Sequence, residues 1–440
     1  MDLCALATNP TVEPSLRNML EKFTPSQNRA LAKISTFLSD PKQRFFLLQG
    51  SAGTGKTHLL GVLSQLLGGA YGQVGCAPTN KATKVFAKKM NTKNNKTIYS
   101  LLGVVMEADE DQMVLKFPFK PASLQKWDVV YLDEASMLPA NLVDYILRIS
   151  AINPHLKWVL SADRAQLPPV GEKESAIWSL NIPKASLTDI VRYDNQILQL
   201  ATHIRDQIKG YPNRGLCIDD NHANGEGVWR VRSAKFFQFL GTASTKGLFH
   251  EVDDTKAIAW TNSTVKDLNA QIRAHAYGRH AYKEPWIVGD RVMLAAPIMY
   301  FDRVVANIDE EGTVVSVEVT HNTFYKHLKC YNLVIKLDEG SDLNACLIHE
   351  DSETDLDVAL NKLASAAKIE KQKWKDFWIL KNSFHKLRHS FAITAHRAQG
   401  STFKNVFLDT SDILKNRSRL ESLKCLYVAA TRPTTKIIAY

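Results

Sequence analysis

The stretch GSAGTGKT at residues 50–57 constrains the fold of this chain more than any other feature. It stands between an apolar run, RFFLLQ, that is typical of a buried parallel strand, and a segment, HLLGVLSQLL, with the apolar spacing of a helix. Glycines in such a turn let the backbone curl around phosphates with its N–H groups pointing inward, and the helix adds its positive N-terminal end. The pattern predicts a P-loop nucleotide site on an α/β sheet.

Two side chains of this loop have predicted roles in phosphate and metal binding. Lys56 is expected to neutralise the β- and γ-phosphates of ATP, and the hydroxyl of Thr57 to hold Mg²⁺. We therefore predict ATP and Mg²⁺ as cofactors. The predicted ATP-binding loop comprises Gly50, Ser51, Ala52, Gly53, Thr54, Gly55, Lys56 and Thr57.

Two further strand-like segments end in polar residues. WDVVYLDEAS ends in Asp133, which is placed to bind the Mg²⁺ ion, and Glu134, which can polarise an attacking water. KWVLSADRAQLPPV leads to Gln166, where the γ-phosphate would lie, although an exposed glutamine in a proline-rich turn is an equal alternative on the residues alone. These features indicate a P-loop NTPase and leave its class open.

The C-terminal half carries strand candidates but no second P-loop. KAIAWTN, FAITAHRAQG, NVFLDT and TKIIAY alternate with helical patterns, and this alternation predicts a second parallel sheet. A nucleotide-type domain without its own phosphate loop is well placed to close over the ATP of the first domain.

Composition fits a soluble chain of several domains with an anionic partner. A length of 440 residues exceeds one ordinary core, and no run approaches the 18 apolar residues of a membrane span. The net charge of +10 favours nucleic acid first and an anionic membrane surface second. The six cysteines form no C-x-x-C pair, which argues against a zinc site or a disulfide framework and suits a reducing cytoplasm.

Seven motifs, taken in order, resemble those of superfamily 1 helicases: GSAGTGKT, APTNKA, DEAS, DRAQLPPV, LTDIVR, TAHRAQGSTFKNV and LYVAATR. Nearly the whole chain resembles the Dda-type phage helicases of superfamily 1B, which are relatives of RecD. The resemblance implies an α/β fold with two RecA-like parallel-sheet domains, an inserted hairpin, and an inserted SH3-like β-barrel with a helical arm. The implied boundaries are an N-terminal extension at 1–22, domain 1A at 23–183 with the pin 1B at about 97–122, domain 2A at 184–275 and 389–440, and domain 2B at 276–388.

The resemblance also assigns roles at the nucleotide site. Gln27 matches a glutamine that reads adenine, and Gln166 matches a γ-phosphate sensor. Arg192 and Arg432 match two arginines that reach across the cleft to the transferring phosphoryl group. Gln399 and Gly400 lie in the motif that links the phosphate site to the nucleic-acid track. The expected catalytic set is Lys56, Asp133, Glu134, Gln166, Arg192 and Arg432.

Nucleic-acid contacts are expected on both domains. Residues 81–96 hold six lysines and no acid, which is typical either of a solvated helix face or of a surface that tracks phosphates, and the neighbouring motif favours the second. Tyr99 replaces a histidine of the family pattern and can stack on a base. The expected DNA contacts are Pro78, Thr79, Asn80, Lys81, Tyr99, Phe117, Asn262, Thr394 and His396.

Aromatic residues mark the two insertions. Phe117 and Phe119 are candidates for a ring that wedges the duplex apart, and packing under the hairpin is an equal alternative, since the family's aromatic position holds Lys116 here. In the inserted helical arm, aromatic residues at helical spacing are expected to pack a contact with the pin. These are Trp374, Phe377, Trp378 and Phe384.

The resulting functional prediction is an ATP-dependent DNA helicase that moves 5′ to 3′ and acts as a monomer on single-stranded and forked duplex DNA. The resemblance favours a phage origin, hence the host cytoplasm, with a phage single-strand-binding or replication protein as a further partner. One alternative is an RNA helicase of the same superfamily, because phosphate tracking ignores the sugar unless a 2′-OH is read. Another is an ATP-gated single-strand-binding remodeller that does not unwind.

Overall fold

A computed structural model of the chain describes residues 13–90, 94–109, 112–118, 124–191, 196–210, 218–300 and 303–440. Across these ranges, none of the helices combines the length and the apolar character that a membrane crossing requires.

The first part of the chain builds a six-stranded parallel sheet in the order β3-β2-β6-β7-β1-β8. Its strands are β1 Phe45–Gly50, β2 Gln73–Ala77, β3 Asn95–Thr97, β6 Val129–Leu132, β7 Lys157–Ala162 and β8 Lys184–Leu187, and a separate antiparallel hairpin contains β4 Val105–Asp109 and β5 Gln112–Lys116. The helices are α1 Pro14–Glu21, α2 Pro25–Ser39, α3 Lys56–Leu67, α4 Asn80–Met90, α5 Ile98–Leu102 and α6 Ala140–Ile152, with 3-10 turns at Gly68–Ala70, Ala135–Met137 and Ala176–Ser179.

The central strands are apolar on both faces because helices cover both sides of a parallel sheet. Every residue of β2 and β6 is buried, and Tyr131 and Trp158 are fully enclosed. The first core extends into the predicted N-terminal extension, since Leu16 and Leu20 of α1 pack into it. The predicted start of domain 1A at 23 is therefore wrong, because the apolar residues of α1 are spaced for one helix face behind Pro14 and complete the core of that domain; residues 1–12 lie outside the described part of the chain.

The next segment begins a second sheet. It contains the strands β9 Asn221–Ala223, β10 Glu226–Arg230 and β11 Thr255–Ala259, and the helices α7 Gln196–Ile208, α8 Ser233–Thr245 and α9 Asn262–Tyr277.

An inserted unit then interrupts the second sheet. Its strands are β12 Arg291–Leu294, β13 Ile298–Tyr300, β14 Arg303–Ala306, β15 Glu311–His321, β16 Lys329–Leu337, β17 Asp342–Ile348 and β18 Leu387–His389, and its helices are α10 His280–Lys283, α11 Glu353–Ile369 and α12 Trp374–Asn382, with 3-10 turns at Glu350–Ser352 and Lys371–Lys373. Five strands form an antiparallel sheet in the order β17-β16-β15-β12-β18, and β13 pairs with β14.

The chain finally returns to the second sheet. The added elements are β19 Ala392–Thr394, β20 Phe403–Leu408, β21 Pro433–Ala439, α13 Ala395–Ala398, α14 Thr410–Ile413 and α15 Arg419–Ala430. The order is β19-β11-β20-β21-β10-β9, parallel except for β9. Two RecA-like parallel sheets with two insertions are thus present, as predicted.

Two details differ from the predicted boundaries. β8 pairs with β1, so residues 184–187 complete the first sheet, although the second domain was expected to begin at 184. His389 pairs with Val292 in the inserted sheet, although 389 was assigned to the second domain. In both places a short strand pairs with the sheet that precedes the predicted boundary, and the sequence of such a short strand alone does not reveal its partner.

Aromatic residues of the helical arm pack within the inserted unit, and their predicted contact with the pin stays a prediction. Phe384 lies in one cluster with Leu328 and Cys330, at the start of β16. Phe377 is buried and meets the ring of Trp374 edge-on at 5.2 Å between centroids. The helical spacing identified a buried face correctly, but the surface that it covers is set by tertiary packing.

A buried ion pair ties the inserted sheet to α9, and its loss should loosen that sheet selectively. Arg273 donates to both carboxylate oxygens of Asp290 at 2.9 and 3.0 Å, and both side chains are nearly inaccessible. Asp290→Ala leaves the guanidinium buried without its partner, at a cost of about 3–5 kcal/mol. Hydrogen exchange of the β12 amides should accelerate about 100-fold or more.

The matched control is Asp351→Ala, in the same unit. Asp351 pairs with Lys329 at 2.9 Å, but its side chain is 67% exposed, and exposed pairs contribute little. Equal exchange rates in the two variants would contradict an anchoring role for Asp290.

Candidate ATP site and nucleic-acid track

The phosphate loop lies at the carboxyl end of β1, between β7 and β8. Gly53 and Gly55 adopt φ values of 82° and 81°, a region that side-chain-bearing residues rarely occupy. The Nζ of Lys56 donates to the carbonyl oxygens of Gly50 at 2.7 Å and Ser51 at 3.1 Å. Those carbonyl bonds keep the ammonium at the mouth of the loop.

Gln27 of α2 supports the loop. Its side chain closes a capping box with Thr24, and its Nε2 donates to the carbonyl of Thr54 at 3.1 Å. A Cβ on Gly55 would lie 2.5 Å from that Nε2, so glycine is required there for the close approach as well as for its φ. Gln27 therefore lines the same cavity as the loop, and its reading of adenine stays a prediction.

The residues predicted to hold Mg²⁺ are adjacent. Thr57 Oγ1 donates to Asp133 Oδ2 at 2.9 Å, so the residues that follow β1 and β6 meet across the carboxyl end of β7, which lies between those strands. A hydroxyl and a carboxylate are the hard oxygen donors that Mg²⁺ prefers, and Oε2 of Glu134 is a buried oxygen without a hydrogen-bond partner beside them. This donor set fits the ion.

Glu134 has the properties of a general base. Its backbone is held in the left-handed region at φ 52°, next to Asp133, which accepts its N–H at 3.0 Å. Burial raises the pKa of the Glu134 carboxyl to about 7; Asp133 adds to the rise, while Arg432 and Lys56 oppose it. A carboxyl that titrates near neutrality is matched to taking a proton from water.

Polar side chains meet across the cleft between the two sheets. Gln399 Nε2 donates to Gln166 Oε1 at 2.7 Å in a buried position. Arg432 lines the same cavity, with its guanidinium held by the carbonyls of Ser401 at 3.1 Å and Val428 at 3.0 Å. Arg192 lies outside the described residues, so its predicted place across the cleft stays a prediction.

These groups surround one cavity of about 310 Å³. The predicted residues that line it are Gln27, Ser51, Ala52, Gly53, Gly55, Lys56, Thr57, Asp133, Glu134, Gln166, Gly400 and Arg432. Three further predicted residues bond to side chains of this lining. The carbonyl of Gly50 accepts from Lys56, the carbonyl of Thr54 accepts from Gln27, and Gln399 donates to Gln166. Residues brought together from two sheets thus form a single site.

Two side chains of the second sheet at this site were not predicted. Tyr427 Oη accepts the N–H of Ala52 at 2.9 Å, and Arg205 Nη1 donates to Ser51 Oγ at 2.9 Å. Tyr427 belongs to the LYVAATR motif, so the motif marked its segment but not its role. Arg205 lies on α7, whose sequence showed only an apolar face, and nothing in that pattern distinguishes this arginine from a solvated one.

The loop after β2 lies against the second sheet. Pro78, Thr79 and Asn80 are partly exposed there, and a Cβ on Gly400 would meet Ala82 Cβ at 3.0 Å and Thr79 Oγ1 at 3.8 Å. The predicted nucleic-acid motif of the first domain therefore touches the segment that carries Gln399, whose side chain bonds to Gln166 at the candidate phosphate site.

The predicted DNA contacts of the second domain share one sheet edge. Ala259 is the register partner of Thr394, so Asn262 and His396 both follow the carboxyl ends of adjacent parallel strands. Asn262 is exposed at the first residue of α9, whereas Thr394 is buried and caps α13 by accepting from Arg397 N at 3.3 Å. Thr394 therefore has a structural use in addition to any contact with DNA.

Two lysines of α4 form ion pairs with carboxylates, Lys81 in a partly buried position and Lys84 at the surface. Lys81 Nζ lies 3.4 Å from Glu311 of the inserted sheet and 3.5 Å from Asp253, and Lys84 pairs with Glu339 at 2.7 Å. Burial alone would raise the pKa of the Glu311 carboxyl, but Lys256, Lys81 and Arg291 lower it to about 2. Lys81 thus joins the first sheet to both other parts of the protein.

The two aromatic DNA contacts predicted in the first domain are packed. Phe117 stands one residue past β5, at the base of the hairpin, and its ring lies 4.9 Å from that of Tyr145. Tyr99 is partly buried against the core that surrounds Trp158. The structure favours the packing alternative for Phe117 because the base of the hairpin, where Phe117 lies, is opposite the end at which Asp109 pairs with Gln112; Phe119 lies outside the described residues.

This architecture defines a P-loop ATPase with two RecA-like domains, and comparison with known proteins agrees. A family described as an AAA domain matches residues 22–216, and a UvrD-like helicase C-terminal domain matches residues 389–440. The ATP-dependent DNA helicase dda of Enterobacteria phage T4 is 26% identical, over 94% of this chain and 98% of that protein.

Two solved structures share the fold. Pif1 helicase from Bacteroides with ADP-AlF3 and single-stranded DNA gives a TM-score of 0.51 at 17% identity, covering 95% of this chain and 92% of that chain. A structure of two Pif1 helicases at forked duplex DNA gives 0.54 at 16% identity, covering 94% and 91%. The chain is thus similar over nearly its whole length to the T4 helicase, and it shares the fold of the two Pif1 structures.

The raised pKa of Glu134 makes a signed prediction for Glu134→Gln. Because the folded pKa of about 7 exceeds the ordinary value of 4.5, ionising this group opposes folding as pH rises through that window. The variant should therefore be more stable than the wild type at pH 8, by about 1–3 kcal/mol, and equally stable at pH 4. Its ATPase rate should fall by about 100-fold or more at every pH.

Thermal unfolding at the two pH values and steady-state ATPase assays test this expectation. Glu174→Gln, which alters the exposed partner of Arg164, is the control and should change neither quantity. A pH-independent stability difference would mean that Glu134 is ionised in the folded protein well below pH 7.

Proposed function

We propose that this protein is an ATP-dependent DNA helicase that moves 5′ to 3′ on single-stranded DNA and unwinds duplexes. The observation that carries the proposal is the hydrogen bond between Gln166 and Gln399. It joins the phosphate site of the first domain to a segment of the second domain that packs, through Gly400, against the nucleic-acid loop at Thr79. A rearrangement at the phosphate site when ATP binds or is hydrolysed can therefore pass through these adjoining residues to the nucleic-acid loop.

The first domain supplies the groups for hydrolysis. Lys56 and the loop N–H groups bind the phosphates, and Thr57 and Asp133 are the residues that would hold Mg²⁺. When bound, Mg²⁺ neutralises charge on the β- and γ-phosphates. The Glu134 carboxylate accepts the proton of the water that attacks the γ-phosphorus, and the bond to ADP breaks.

The second domain supplies cationic charge from across the cleft. Arg432 lines the cavity with a guanidinium already oriented by backbone carbonyls, so little reorientation is needed when negative charge develops on the phosphoryl group. ATP, contacted by both domains, favours the closed cleft, and loss of the γ-phosphate removes part of that preference. Alternating grip by the two domains then moves the strand.

Nucleic acid is proposed to run along the loop after β2 and the edge that carries Asn262. A phosphate that approaches Lys81 replaces carboxylates as its partner, so binding should depend strongly on salt. The T4 relative is named a DNA helicase, which supports DNA as the substrate, and the proposed 5′-to-3′ direction rests on the resemblance of the sequence motifs to superfamily 1B. Action as a monomer and association with a single-strand-binding or replication protein are parts of the proposal.

Lys56→Ala tests the nucleotide assignment. Removal of the ammonium should reduce ATPase activity by about 100-fold or more, because phosphate charge loses its main neutralising group. Binding of single-stranded DNA without nucleotide, measured by fluorescence anisotropy, should stay within about twofold. Lys88→Ala, on the same basic helix α4, is a charge-matched control that should retain ATPase activity. Undiminished turnover in Lys56→Ala would remove the P-loop assignment.

Strand displacement on two partial duplexes tests the direction of movement. With ATP and Mg²⁺, only the duplex with a 5′ single-stranded DNA tail should be unwound, because the leading domain must load on that tail. Preference for the 3′ tail would retain the motor but contradict the proposed polarity. A duplex with a 5′ RNA tail of equal length is the control for sugar recognition. ATPase activity stimulated by DNA without unwinding of any duplex would indicate a remodeller.

A further inference from the structure

A tyrosine of the second domain forms a hydrogen bond with the backbone of the phosphate loop. Tyr427 lies on α15 and is only 1% exposed. Its hydroxyl accepts the N–H of Ala52 at 2.9 Å and donates to Asp163 Oδ2 at 2.8 Å. One hydroxyl therefore joins the second domain to two separate segments of the first.

The position of Ala52 gives this contact a functional meaning. Ala52 lines the nucleotide cavity and belongs to the run of N–H groups that a P-loop offers to phosphate oxygens. Here the acceptor for its N–H is a neutral phenol from the opposite domain. A phosphate oxygen that is to use this N–H must first displace the hydroxyl.

The second hydrogen bond of Tyr427 goes to Asp163, which shares a turn with Gln166, the predicted γ-phosphate sensor. Asp163 Oδ1 accepts the N–H of Ala165 at 3.0 Å, and the Asp163 carbonyl accepts the N–H of Gln166 at 3.2 Å. Asp163 thus shapes the turn that presents Gln166 to Gln399. Burial and the Asp163 carboxylate raise the pKa of Tyr427 well above its ordinary value, so the hydroxyl remains a donor in the neutral range.

A second side chain from the second domain also contacts the phosphate loop, beside Ala52. Arg205 of α7 donates to Ser51 Oγ at 2.9 Å, one residue before Ala52. Two helices of the second domain therefore bind consecutive residues of the phosphate loop. Such contacts hold the domains together across the cleft without using a nucleotide.

We infer that Tyr427 is a positioning residue that responds to phosphate in the loop. While the loop is empty, its hydroxyl satisfies the Ala52 N–H; when phosphate binds, the N–H transfers to a phosphate oxygen and Tyr427 keeps only its bond to Asp163. Phosphate binding thereby exchanges one contact between the domains and alters the support of the Gln166 turn. This inference rests on the proposed function only in taking the loop as the nucleotide site.

Tyr427→Phe removes the hydroxyl and keeps the ring. Without DNA, the variant should bind ADP and a non-hydrolysable ATP analogue about 3- to 10-fold more tightly than the wild type, because no hydroxyl has to be displaced. Its kcat with single-stranded DNA should fall about tenfold, because the turn that carries Gln166 has lost a support. A purely structural role would weaken nucleotide binding or leave it unchanged.

Tyr440→Phe is the matched control. Tyr440 donates to Asp409 Oδ2 at 2.8 Å in the same domain, away from the cavity, so its loss removes an equivalent tyrosine–carboxylate bond. Its nucleotide affinity and kcat should match those of the wild type. Nucleotide affinity in Tyr427→Phe that equals or falls below that of the wild type would overturn the inference.

A measurement on the unchanged protein covers the case in which Tyr427→Phe does not fold. Hydrogen exchange at the Ala52 amide should be slow without nucleotide, because the hydroxyl holds that N–H; exchange at the rate of an unstructured peptide would overturn the inference. Failure of the wild type to bind nucleotide would instead remove the proposed function. Normal ATPase and unwinding with no effect of Tyr427→Phe would remove the inference alone.

Discussion

The phosphate loop must be curled tightly enough to direct its N–H groups inward and still remain open to a ligand, and the surrounding residues serve that requirement. Left-handed glycines make the curl possible, and Gln27 of α2 holds it from within the first domain. Tyr427 holds it from the second domain. Because the loop is supported from both sides of the cleft, a ligand in the loop acts on both domains at once.

A second constraint is electrostatic. The chain carries a net charge of +10, yet Lys81 and Lys84, the first lysines of its basic stretch, are paired with carboxylates. Glu311 forms ion pairs with Lys81 of the first parallel-sheet domain, Lys256 of the second and Arg291 of its own inserted sheet. A buried carboxylate surrounded by Lys256, Lys81 and Arg291 is stable only while those cations remain near. In the free protein, Lys81 and Lys84 of the predicted nucleic-acid surface are thus held in ion pairs, and we propose that an external phosphate replaces their carboxylate partners.

Much of the fold and of the site could be predicted because the relevant signals are local. The strand–loop–helix pattern around Lys56 located the phosphate site, and buried strands ending in Asp133 and Gln166 located its opposite wall. The signals failed where a residue's role depends on a distant partner. Phe117 was offered as a wedge, but Tyr145 covers its ring; β8 was assigned to the second domain, but it pairs with β1. Residues 14–21 carried too short a pattern to reveal that Leu16 and Leu20 complete the first core.

The sequence by itself determined the chemistry of the site, since glycine, lysine, hydroxyl and carboxylate groups at fixed spacing can serve a phosphate only in a few ways. It also determined the two-domain plan, because alternating apolar strands and helices must bury their faces in parallel sheets. Only the tertiary structure decided which groups meet across the cleft. Tyr427 with Ala52, Arg205 with Ser51, and Lys81 with Glu311 are pairs far apart in the chain, and no local pattern encodes a contact whose distance is set by the packing of separate domains.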